Sequence, residues 1–107
     1  MRTFEEYQSA ATRTPLSLRN NRDRVNLPVL GLQEEAGKVG SLLASAFASG
    51  KLALTQDQTI ELKDRLSDML WHITLLCGET GIAMQDVAEH SLAQLQARTK
   101  ALDPDQR

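Results

Sequence analysis

The stretch from Thr55 to Cys77 restricts the fold of this chain more than any other. Thr55-Gln56-Asp57-Gln58 is a capping box, in which a Thr hydroxyl and a Gln side chain satisfy the free N–H groups of a helix start. Behind it Leu62, Leu66, Met69, Leu70, Ile73, Leu76 and Cys77 recur at helical spacing and form a strong apolar stripe. Trp71 lies beside that stripe and widens it. An arc so wide predicts burial on two sides, which a second copy of the chain would supply. Glu61, Asp64, Arg65, Asp68 and His72 line another face of the same helix, and Gly78 and Gly81 punctuate its end.

The rest of the chain reads as three more helices. Thr3-Phe4-Glu5-Glu6 caps the first, whose inner side is Phe4, Tyr7, Ala11 and Ala10; Pro15 ends it at about Arg13. The second is expected to begin near Pro28, which suits a first helical turn, and to end by Gly50. Its apolar face is Leu32, Ala36, Val39, Leu43, Ala46 and Phe47. Gly31, Gly37 and Gly40 each cost roughly 1 kcal/mol relative to Ala inside a helix, so they predict close approach by another helix or a ligand. The fourth runs from about Met84 to Leu102, with Val87, Ala88, Leu92 and Leu95 inside, and Asp103-Pro104 stops it. Four helices with short connections predict an all-α, antiparallel four-helix bundle, or a bundle completed by a partner chain.

With 107 residues, one domain over 1–107 is expected. A net charge of −2 gives no global basic field and argues against nucleic acid. One cysteine, Cys77, excludes an intrachain disulfide and fits a reducing cytoplasm, where it reads as a buried structural thiol. Neither an apolar signal core nor a membrane-length run is present, so a soluble cytoplasmic protein is expected. Residues 14–26 read as a loop; with Arg13, Arg19, Arg22 and Arg24 around the single acid Asp23, it is locally positive. It is either a solvated loop or a phosphate contact, since Arg forks suit phosphate oxygens.

Chemistry concentrates at Glu34-Glu35-Ala36-Gly37-Lys38. Residues three and four apart share a helix face, so Lys38 stands beside both glutamates. Taken alone this is a surface ion pair worth a few tenths of a kcal/mol, roughly. If helices two and three pack antiparallel, however, positions 34, 35 and 38 face 65, 68 and one of 61 or 64. Carboxylates projecting inward from facing helices are how bundles hold hard cations such as magnesium.

Gly31-Leu32-Gln33-Glu34-Glu35-Ala36-Gly37-Lys38-Val39 resembles the G-L-x-E-E-x-G-E-V motif of the MazG-like, all-α nucleotide pyrophosphohydrolases. Leu66-Ser67-Asp68-Met69-Leu70-Trp71-His72 is similar to their second motif, E-L-G-D-V-L-W-Y. Tyr7-Gln8, the segment from Gly81 to Glu89, and Ser91-Leu92-Ala93-Gln94-Leu95 match the family's Y-Q, G-I-D-L-E-E-V-A-E and N-L-A-K-L in order. The resemblance implies a MazG-like bundle completed by dimerisation, or a dimer of dimers. It also implies hydrolysis of a nucleoside triphosphate to the monophosphate and pyrophosphate, with Mg²⁺ on the E-E-x-x-E and E-x-x-D carboxylates orienting the triphosphate and activating water. Carried onto this chain, Glu34, Glu35 and Asp68 are the catalytic and metal-binding acids.

Two positions depart with reversed charge: Lys38 stands for the third Glu, and Arg65 for the Glu of E-x-x-D. The five-position sum changes from −5 to −1. Like charges about 4 Å apart repel by about 4 kcal/mol at an effective dielectric of about 20. Lys38 and Arg65 therefore oppose a divalent ion and are expected to neutralise Glu34, Glu35 and Asp68 in its place. Ser91 and Gln94 also replace the Asn and Lys that the resemblance assigns to substrate, and His72 replaces a Tyr. A shifted magnesium site on Glu61, Asp64 and Asp68 with Glu34 or Glu35 is the alternative; in an antiparallel pair, though, Glu61 falls opposite Leu42.

Three functions are compatible with this pattern. One is a pyrophosphohydrolase with a remodelled acidic site. Another is an inactive relative that binds a nucleoside triphosphate or related phosphate through Lys38, Arg65 and His72. The last is a structural or partner-binding helical dimer whose ion cluster sets helix register. His72 reads either as a proton shuttle beside Asp68 or as a hydrogen-bonded edge residue. His90 receives no role.

Overall fold

A computed structural model describes residues 3–12, 21–51 and 53–102. It contains α1 (Phe4–Thr12), α2 (Asn21–Ala46), α3 (Gln56–Thr80) and α4 (Met84–Leu102), and no strand among the described residues. The described residues form an all-α structure of four helices.

The caps form where the sequence places them. The Thr3 hydroxyl accepts a hydrogen bond from the Glu6 N–H at 3.1 Å. At Thr55 the box is reciprocal: Gln58 N donates to Thr55 Oγ1 at 3.1 Å, and Thr55 N donates to Gln58 Oε1 at 2.8 Å. α3 ends at Gly81, whose φ of 74° is the left-handed conformation that glycine adopts without a Cβ clash; its N–H and that of Ile82 both reach the Cys77 carbonyl. Gly78 lies inside α3 instead of ending it.

The second helix departs from expectation. It starts at Asn21, seven residues before Pro28, so Arg22, Asp23 and Arg24 stand on a helix and not in a loop. Proline inside a helix loses one ladder bond and costs about 3 kcal/mol in isolation. Here the Pro28 ring is fully buried, and Asp23 in the first turn complements the helix dipole. Tertiary burial has overridden the local preference. Arg13 and Arg19 lie outside the described residues.

α2 packs on α3, and α1 bridges α3 and α4. Glu35 meets Arg65 while Gly31 meets His72, so α2 and α3 run in opposite directions. Besides Pro28 on α2, the buried apolar residues are few among those described; Ala11, Cys77 and Met84, with Thr74, lie together. They mark the point where α1, α3 and the start of α4 meet. Gln8 locks this point, because its Nε2 donates to the Ile82 carbonyl at 3.1 Å while its Oε1 accepts from Met84 N at 2.9 Å.

Much of the predicted core is not buried within the chain. Leu62, Met69, Leu70 and Leu76 are half-buried, whereas Phe4, Leu66, Ile73, Val87, Leu92 and Leu95 are exposed. The radius of gyration is 17.4 Å, against about 13 Å for a compact domain of this length. The helical stripes are present, but among the described residues much of their apolar surface is not covered.

Candidate functional site

The two clusters singled out by sequence do meet across α2 and α3, and Glu35 is their centre. It is 7% exposed, a deeply placed carboxylate. Its position follows from the helix period: Gly31, Glu35 and Lys38 share the α2 face turned toward α3. Arg65 Nη1 lies 3.5 Å from Glu35 Oε2 and Lys38 Nζ lies 3.8 Å from Glu35 Oε1, so both oxygens face a cation. Lys38 is held more closely by the exposed Glu34, at 3.1 Å. Two carboxylates and two cations make the cluster neutral. The long Glu35 contacts are Coulombic more than hydrogen-bonded, and they offset the desolvation of the one buried acid.

Above this cluster His72 lies against Gly31. A Cβ at position 31 would come within 2.5 Å of the imidazole, so the ring occupies space that any other residue would fill. Trp71 and His72 form a tilted ring pair with centroids 5.6 Å apart. His72 Nδ1 and Arg65 Nε are both buried without a hydrogen-bond partner. The glycine spacing in the sequence thus points to close approach at Gly31. At Gly37 and Gly40 an added Cβ would meet open space.

Asp68 is not part of the cluster. Its carboxylate is exposed and makes no ion pair among the described residues, while its charge is felt by Tyr7 on α1. Burial raises the Tyr7 phenol above its ordinary value and the Asp68 charge raises it further, partly offset by a hydrogen bond with Thr74. Sequence reasoning placed Tyr7 on the inner side of the first helix, singled out Gln8 only through family resemblance, and did not identify Thr74. No periodicity signals a polar contact between α1 and α3.

Glu61 lies beside an open groove of about 540 Å³ together with Glu34, Gly37, Lys38, Ser41 and Leu42. That is the antiparallel register expected from Leu42, and it separates Glu61 from Glu35. Asp64 is exposed. Among the described residues no three His, Cys, Asp or Glu side chains converge as metal ligands. The donor set does not fit the Mg²⁺ that the resemblance implies: Glu35 is bracketed by cations, and Asp68 is exposed and outside the cluster.

Cys77 is buried, and burial raises its thiol above the ordinary value, which makes it a packing residue and not a nucleophile. His90 is exposed on α4. No helix among the described residues is long and apolar enough to cross a membrane. Comparison with protein-family models, with curated proteins and with solved structures gives no match.

Proposed function

We propose that this chain is a MazG-like helical protein that has lost Mg²⁺-dependent pyrophosphohydrolysis and acts in the cytoplasm as a homo-oligomeric structural or partner-binding module. The observation that carries this reading is the buried Glu35 held between Lys38 and Arg65. Where the resembled family needs a concentrated negative charge, this chain has a neutral cluster. A divalent ion entering there meets two fixed cations, each repelling it at short range. The cluster instead sets the register of α2 on α3, because sliding either helix by one turn takes Arg65, the one partner that Glu35 has across the contact among the described residues, away from a desolvated carboxylate.

The direct test measures pyrophosphate release from common and modified nucleoside triphosphates with Mg²⁺ or Mn²⁺. No turnover is expected. Release that disappears in Glu35→Gln would sink the proposal.

A second reading, retained binding of a nucleoside triphosphate or related phosphate without metal, is favoured by the groove beside Lys38 and Ser41. It predicts a ligand-dependent rise in Tm without magnesium that is lost in Lys38→Ala. A flat titration removes it.

A further inference from the structure

We infer that α4 is a conditional helix, capped at its start by Gln8 of α1, so that docking of α1 on α3 controls whether α4 is ordered. In this device α1 is a strap and α4 the arm that it holds.

The segment before α4 carries no cap of its own. α1 and α3 follow Thr3 and Thr55, whose hydroxyls accept from Glu6 N and Gln58 N. α4 follows Ala83, which has no side-chain acceptor to offer. The first N–H groups of a helix have no partner within it and need one from elsewhere. The Ala83 carbonyl takes that of Asp86 at 3.0 Å. That of Met84 goes to Gln8 Oε1 at 2.9 Å, a partner 76 residues earlier in the chain. Gln8 Nε2 also donates to the Ile82 carbonyl at 3.1 Å, so one amide grips the backbone on both sides of Ala83.

Little else holds the arm. Most helical stability in proteins comes from the packing of one face. Among the described residues α4 packs on α1, and only its start is covered. Met84 is buried and Gln85 and Ala88 are half-buried, whereas every residue from Glu89 to Leu102 is exposed.

α1 in turn reaches α3 through the buried Ala11 and the hydrogen bond between Tyr7 and Thr74, which sets Gln8 over the turn before α4. At nine residues α1 is too short to persist as a helix away from the rest of the chain. Undocking therefore dissolves the strap and removes the cap of α4 in one step.

Segment-resolved hydrogen exchange at one protein concentration, with thiol labelling of Cys77, tests this. Cys77 is buried where α1 meets α3, so its labelling follows release of α1. Gln8→Ala should speed exchange along α4 about fivefold, the usual weight of a helix cap, and leave α2 unchanged. Adding Ala83→Ser sets a Ser three residues before Asp86, the sequence form of a capping box. That double variant should return α4 to its original exchange while Cys77 labelling stays raised. Should Gln8→Ala not fold, Ala83→Ser by itself decides, and it should slow exchange along α4 alone. The proposal is overturned if Gln8→Ala leaves α4 exchange unmoved or speeds all helices together. It is overturned equally if Ala83→Ser does nothing for α4 in either background.

Discussion

The α2–α3 contact and the outer half of α4 handle exposed chemistry in opposite ways. At the first, a buried acid is balanced within the chain by Arg65 and Lys38, and His72 fills the gap left by Gly31. At the second, leucines on a regular helical stripe have nothing over them. Both are amphipathic helices with comparable patterning. The difference shows that an apolar stripe guarantees burial only where the chain also supplies a facing surface. The polar seam balances its charges within the chain, whereas the leucines of outer α4 lie open to solvent.

The sharpest way to break this comparison is to unbalance the polar seam. Arg65→Leu should destabilise the protein by about 2 kcal/mol in urea unfolding, below the full cost of orphaning a buried charge because Arg65 is partly exposed. Glu35→Leu combined with Arg65→Leu should recover most of that loss. A double variant weaker than the single one would show that the cluster is a net source of stability and not a register device.

Glycine substitutions sharpen the same contrast. Gly31→Ala drives a methyl into the His72 ring and should cost about 1–2 kcal/mol, the overpacking penalty reduced by the helix gain. Gly40→Ala meets open space and should stabilise by up to about 1 kcal/mol. Equal effects in thermal unfolding would mean that the Gly31 contact is not tight in solution.

Gln8→Ala removes both hydrogen bonds at the α3–α4 turn and should cost about 1 kcal/mol. Hydrogen exchange should rise at Met84 while α2 stays protected. Uniform deprotection would instead make the turn part of one cooperative unit.

The smallest effect is in pH. Tyr7 and Cys77 both have pKa values raised on folding, so the folded state holds their protons more tightly than the unfolded state. Their contribution is fully present below the ordinary values of 9.0 for Cys77 and 10.0 for Tyr7, and it is lost as pH rises through the raised folded values. Stability should decline from about pH 9 upward, and Tyr7→Phe should flatten the part above 10.0. An unchanged profile in that variant would remove Tyr7 from the account.

Helix existence was legible in the residues because caps and breakers act locally. Thr3, Thr55, Gly81 and the turn before Met84 bound their elements as expected. The start of α2 was not, since Pro28 prefers a first turn and only its burial against the rest of the fold holds it in the interior. Within the site, Glu35 and Arg65 could be paired from helix period and antiparallel register. Asp68 could not, because a position one turn from Arg65 lies close enough to the α2-facing side for sequence to place it on either flank.

What the sequence determined by itself is a set of amphipathic helices and the charge of their polar faces, both consequences of a 3.6-residue period. Only the tertiary structure decided which faces are covered. It set Glu35 between two cations, kept Asp68 exposed and out of that cluster, and left Leu92, Leu95 and Leu102 open. Coverage depends on the angle and position at which helices cross, and these are fixed by contacts between residues far apart in the chain.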